Sequence, residues 1–134
     1  MSSHLAIAQV TPFAWELASE VGDHVRRVSH ELAARGHRVV VIAPSESPAL
    51  VRDSRRAIRS GGESVLERAA GEPVVLGVGE VLPFSSARRG TSLPVDLART
   101  IEEALGSISF DVVHVHEPFA PSASSAALRH SRAL

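Results

Sequence analysis

The sequence predicts an α/β fold: an open, mostly parallel sheet with helices on both faces. Three observations predict it. Short apolar runs of Val, Ile, Leu and Ala recur along the chain and stop at prolines or loop residues. Between them lie segments whose apolar residues repeat at helical spacing. The two kinds of segment alternate, and that alternation builds parallel strands joined by crossover helices.

Residues 5–10 (LAIAQV) form a short apolar run that ends at Thr11-Pro12. Its length and its proline stop suit a buried strand better than a helix. Residues 12–19 read as a loop carrying Phe13, Trp15 and Glu16. From Val21 the period changes: Val21, Val25, Val28 and Leu32 recur at helical spacing, with Asp23, Arg26, Arg27, His30 and Arg35 between them. This is an amphipathic helix, with Ser19 as its expected N-cap and Gly36 as its stop. Residues 38–43 (RVVVIA) are a second strand, which Pro44 is expected to end, so residues 5–43 make a βαβ unit. Residues 45–71 are rich in Ser, Pro, Arg and Gly, and short helices are expected over 49–59 and 63–70, broken at Gly61-Gly62. A third strand is expected over 73–78 (PVVLGV), a loop over 81–91, a helix over 94–105 and a fourth strand over 111–115 (DVVHV). A loop at 117–121 and a small-residue helix over 122–134 complete the expected elements.

The 134 residues suffice for one domain with a real core. With 4% aromatic residues, that core must come from aliphatic side chains. The formal net charge of −1 gives no global attraction to nucleic acid, so none is expected as a partner. The absence of cysteine excludes disulfides, thiolate metal sites and cysteine nucleophiles. No apolar run approaches the ~20 residues that span a bilayer, and no basic segment precedes a long apolar stretch at the N-terminus. The expected location is the cytoplasm.

In an open parallel sheet, ligands bind beyond the carboxyl ends of the strands. That rule selects the segments 11–20, 83–89 and 116–121. No G-x-G-x-x-G follows the first strand, which disfavours a nicotinamide-type dinucleotide site. Strand alternation puts His114 and His116 on one side of the fourth strand. An H-x-H pair can ligate a metal, but no further ligand cluster accompanies it, so no metal site is expected. A histidine at the carboxyl end of a parallel strand is well placed to touch substrate. His24, in the first helix, either faces the same cleft or packs.

Two stretches carry a family resemblance. One runs from Ile7-Ala-Gln-Val-Thr-Pro-Phe13 through Val21-Gly-Asp-His24-Val25 to Ala33-Ala-Arg-Gly36-His37 and Pro44. The other is Asp111-Val-Val-His-Val-His-Glu-Pro-Phe-Ala-Pro-Ser122. Together they resemble the N-terminal domain of retaining GT-B glycosyltransferases (glycosyltransferase family 4), and within it the phosphatidylinositol mannosyltransferase group. The resemblance implies that residues 1–134 are a Rossmann-like, acceptor-side domain. A second Rossmann-like domain, C-terminal to this one, would hold most of the nucleotide sugar. It implies transfer of a hexose, of mannose or glucose type, with retention, from a GDP- or UDP-linked sugar to a lipid or small-molecule acceptor. No cofactor beyond the nucleotide-sugar substrate is implied. His116 matches the family's active-site histidine. Ser19, Glu20, Val21, Gly22 and His24 match the donor-phosphate loop. Pro12, Phe13, Ser85, Ser86, Glu117 and Pro118 fall on the acceptor side. This domain alone is expected to be inactive.

The sequence departs from that pattern in two places. The family usually has Gly-Gly where this chain has Ser19-Glu20. Two like charges ~4 Å apart at an effective dielectric of ~20 repel by roughly 4 kcal/mol, so Glu20 is expected to weaken diphosphate binding while it favours the helix dipole. The second departure is the helix over 94–105, where Asp96, Glu102 and Glu103 outnumber Arg99. An acidic helix gives weak or no contact with anionic lipid, although a lipid acceptor would place the protein at the inner face of the membrane. Two further expectations follow: an unfinished sheet edge that invites dimerisation, and, as the alternative function, a non-catalytic binding module with a degenerate donor loop.

Overall fold

The computed structural model describes residues 4–80, 94–116, 131 and 133, with the backbone alone described at 80 and 94–98. The described elements are β1 (Ala6–Val10), α1 (Glu20–Ala34), β2 (Arg38–Ser45), α2 (Pro48–Ser60), α3 (Gly62–Arg68), β3 (Val74–Glu80), α4 (Pro94–Ser107) and β4 (Val112–Val115). The strands form one parallel sheet in the order β3-β2-β1-β4. From β1 the chain steps outward to β2 and β3. It then crosses back over β1 to place β4 on the other side. The strand order therefore reverses between β1 and β4, the switch point where α/β sheets open a crevice. This is the Rossmann-like α/β architecture that the sequence predicts.

Strand alternation sorts the core into two layers. Ala8, Val10, Val40, Ile42, Val74, Leu76 and Val78 point to one face and meet Ile58 of α2, Val65 of α3, and Ile101 and Ala104 of α4. Val41 and Ala43 point to the opposite face and meet Val25 of α1, with Trp15, Val21 and Val75 packed around them. Among the described residues one helix thus covers one face and three cover the other. Burying each aliphatic side chain contributes about 1.5–3 kcal/mol, and with so few aromatics these many modest terms hold the layers together.

Local chemistry sets the ends of the elements. Ser19 caps α1, its Oγ accepting from Gly22 N–H at 2.9 Å. Gly36 takes a positive φ of 95° in the turn that leaves the helix. His4 donates to the Gly36 carbonyl and Leu5 N–H donates to His37 Nδ1, so two histidines fasten the start of β1 to that turn. Asp111 performs the same service at β4: its carboxylate accepts from Ala6 N–H, and its own N–H donates to the Ala6 carbonyl.

Pro44 corrects one expectation. β2 runs through it to Ser45 rather than stopping before it. β1 has already ended opposite Ile42, and on the β3 side the register shifts between Ala43 and Ser45. A residue without an N–H is tolerated at such an irregularity. The Pro44 carbonyl is still used, accepting from Trp15 N–H at 2.9 Å. Just before the shift, Gly77 pairs with Ala43 and its N–H donates to the buried Ser54 Oγ of α2 at 2.9 Å. The remaining differences are of length: the two helices expected over 49–59 and 63–70 run over 48–60 and 62–68, and α4 runs two residues past the expected 105. The loop expected over 81–91 and the helix expected over 122–134 lie outside the described residues, apart from positions 131 and 133.

Candidate functional site at the β1–β4 switch point

The crevice at the switch point is bordered by the carboxyl ends of β1 and β4 and by the first turns of α1. Gln9 faces His114 across the β1–β4 ladder. His116 follows one residue beyond β4, its N–H donating to the Val10 carbonyl at 2.9 Å. Its side chain turns toward the α1 face of the sheet, where Nε2 donates to Gln9 Oε1 at 2.8 Å. Gln9 is almost fully buried, at 1% exposure. A buried amide must be hydrogen-bonded, so Gln9 and His116 fix each other, with the imidazole proton on Nε2.

His114 and His24 complete the cluster. The His114 ring lies 4.2 Å from that of His116, tilted by 38°. The His24 ring approaches His116 edge-on at 5.9 Å. Burial, then the neighbouring His114 and His24, lower the His116 pKa to about 4. His114 is lowered too, by burial and by His24. His116 is therefore neutral at physiological pH. A neutral imidazole with its proton on Nε2 can accept from a sugar hydroxyl at Nδ1 without bringing a charge into the crevice. Among the described residues no group of three His, Asp or Glu side chains is placed to hold a metal.

The loop from β1 to α1 is tied down along its length. Thr11 N–H donates to the Ile42 carbonyl. The Arg26 guanidinium stacks on the Trp15 ring at 4.2 Å and also donates to the Trp15 carbonyl. Glu16 accepts from the Ser45 hydroxyl and from Glu46 N–H, joining this loop to the one after β2. Trp15 covers the small core layer beneath α1.

The sequence-predicted site residues divide into four groups. His24 and His116 are brought together, with His114 as their neighbour. Ser19, Glu20, Val21 and Gly22 form the α1 start, where Ser19 is committed to the cap, Glu20 is exposed, Val21 packs on the core and Gly22 is buried. Pro12 and Phe13 sit at the mouth of β1 but are buried, Phe13 at 8% exposure. Ser85, Ser86, Glu117 and Pro118 lie outside the described residues. Sequence reasoning missed Gln9 and Arg26. Gln9 could have been found as the one polar residue in an apolar strand. Arg26 carried no such signal, because an arginine on a helix surface is ordinary.

Comparison with known proteins extends this reading. Phosphatidyl-myo-inositol mannosyltransferase of Mycobacterium tuberculosis (strain CDC 1551 / Oshkosh) is 27% identical over 124 residues, 92% of this chain and 28% of the relative. The protein of the same name from Mycolicibacterium smegmatis is 26% identical over 125 residues, and that from Mycobacterium leprae 30% over 129. The chain thus spans less than a third of the length of the curated relatives it matches. The model of Glycosyltransferase Family 4 matches residues 21–134, which takes in α1, the whole succession from β2 to β4, and His116. A match over that much of the chain, on a parallel sheet with its crevice where this one lies, has one reading: the chain belongs to glycosyltransferase family 4.

Proposed function

We propose that this chain is the acceptor-side domain of a retaining hexosyltransferase. A C-terminal domain outside this chain binds most of a GDP- or UDP-linked sugar, and transfer occurs in the cleft between the two. The observation that carries the proposal is the neutral His116, locked by Gln9 at the strand-order switch point and flanked by His24 and His114. The mannosyltransferase names of the relatives favour mannose as the hexose and a phosphatidylinositol-type lipid as the acceptor. With such an acceptor, the enzyme works at the inner face of the membrane. Among the described residues no helix is long and apolar enough to cross a membrane.

In the transfer, the bond from the anomeric carbon to the diphosphate breaks and a bond to the acceptor hydroxyl oxygen forms. The hydroxyl proton leaves with the departing nucleoside diphosphate. Negative charge grows on the diphosphate as the bond breaks, so groups that donate to it without prior reorganisation lower the barrier. His116 is suited to hold the transferred sugar in place, because its orientation is set before substrate arrives. Glu20 opposes the diphosphate, so the donor is held mainly by the second domain.

The test is calorimetry of the full-length protein with GDP-mannose and UDP-glucose, followed by NMR of the product. Micromolar binding of one donor and a product of the same anomeric configuration as the donor support the proposal. Binding of neither donor, or an inverted product, contradicts it.

A further inference from the structure

Helix α2 carries a feature that sugar transfer does not use. Arg52, Arg55, Arg56 and Arg59 line an open hollow of about 410 Å³ together with Ser60. Their spacing puts them in one row that covers about 100° of the helix surface and runs about 10 Å along its axis. The core-facing side of α2 is separate, formed by the buried Val51, Ser54 and Ile58. That side packs on the sheet face opposite the histidine cluster, so the row and the crevice are different sites.

Asp53 shares the helix and stands one turn from Arg56, but among the described residues no carboxylate forms an ion pair with any arginine of the row. The ion pairs found there are Arg26–Asp23 and Arg35–Glu31, and neither involves α2. Like charges three and four residues apart destabilise a helix, and this row contains four such pairs in a protein whose net charge is −1. A repulsive row of this kind is relieved by a bound anion. Arginine forks pair bidentately with phosphate oxygens. The surroundings narrow the ligand further: α2 exposes no large apolar side chain, since Leu5 of the β1 segment is the exposed one among the described residues. A partner that relies on apolar burial, such as a protein groove or an inserted lipid tail, finds nothing to bury here. High charge density is what remains.

We propose that the α2 arginine row binds a ligand bearing clustered phosphates, either free or as the headgroup of an anionic lipid. The test is calorimetry of the full chain with tripolyphosphate, repeated with the R52Q/R56Q and R55Q/R59Q variants. Gln keeps helix propensity close to that of Arg, so the variants fold, as circular dichroism would verify. The expected result is saturable binding to the native chain that each double variant weakens at least tenfold. Co-sedimentation with phosphatidylcholine vesicles containing a phosphorylated phosphatidylinositol identifies the source. Vesicle capture that the same variants abolish assigns the ligand to the membrane, and tripolyphosphate binding without vesicle capture assigns it to a soluble phosphate ester. Equal tripolyphosphate binding by native and variant chains, no binding at low salt, or capture of an oligonucleotide but not of tripolyphosphate would overturn the proposal. Because the row is remote from His116, its failure would leave sugar transfer untouched, and the reverse also holds.

Discussion

Helix propensity and tertiary packing make opposite predictions for Gly62, which begins α3. Propensity says that glycine to alanine in a helix stabilises by up to ~1 kcal/mol. The structure says that a Cβ on Gly62 would lie 2.1 Å from the Ser107 carbonyl oxygen and 2.7 Å from the Ile108 Cα. Both are backbone atoms at the end of α4, so no rotamer change removes the overlap. Carbon atoms pack comfortably at ~3.5–4.0 Å, so α3 and α4 must part by roughly 1 Å. Parting them loosens Val65, Ala69, Ile101, Ala104 and Ile108, all buried in the larger core layer. Overpacking of this kind costs about 1–3 kcal/mol, which lowers the melting midpoint of a domain of this size by roughly 4–12 °C. Gly106 is the internal control. It lies in the last turn of α4, and a Cβ there meets nothing within 4 Å. Gly106→Ala should raise the midpoint by roughly 2–4 °C, the ~0.5–1 kcal/mol of a relieved helix glycine. Thermal melts followed by circular dichroism, with native chain and both variants side by side, decide the matter. A Gly62→Ala chain that melts at or above the native midpoint refutes the α3–α4 contact and the packing built on it.

Three more outcomes can be checked. Arg26→Ala should cost about 1–2 kcal/mol, from the lost stacking on Trp15 and the lost hydrogen bond to its carbonyl; because Trp15 is the chain's single tryptophan, its emission should shift to the red, and an unchanged spectrum would count against the stacked geometry. Replacing Ser19 and Glu20 together by glycine in the full-length protein should tighten nucleotide-sugar binding roughly fivefold or better, the ~1 kcal/mol of one removed like charge in water, at a cost of only a few tenths of a kcal/mol for the cap; unchanged affinity on calorimetry would remove Glu20 from the account. The His116 pKa of about 4 lies below the ~6.5 of an unfolded histidine, so the unfolded chain takes up a proton first. Stability from this group is therefore complete above pH 6.5 and lost as pH falls from 6.5 to about 4, and His116→Gln should flatten the fall in melting midpoint across that window.

Much of the fold was legible because its signals are local. Apolar runs of five to eight residues, the Ser19 cap and the Gly36 stop each act within a few positions, and each marks an element that the structure contains. Pro44 misled because its tolerance depends on what its neighbours do. β1 ends before it and β3 shifts register beside it, and neither fact is written in the residues around position 44. The site shows the same division. Strand alternation put His114 and His116 on one side, and the ladder places Gln9 opposite them. The pairing of Gln9 with His116 spans more than a hundred residues of sequence and becomes visible only when β4 lies against β1. The arginine row lay within the short helix expected over 49–59, in a stretch rich in Ser, Pro, Arg and Gly. Its four members share a surface only because α2 forms a regular helix from Pro48 to Ser60.

The most direct test of the switch-point site is hexose transfer by the full-length protein, measured for the native chain and for His116→Ala in parallel. The predicted result is a fall of at least a hundredfold in transfer, roughly 2.7 kcal/mol, with the circular dichroism spectrum unchanged. Native-like transfer by His116→Ala would contradict the claim that this crevice holds the reacting sugar.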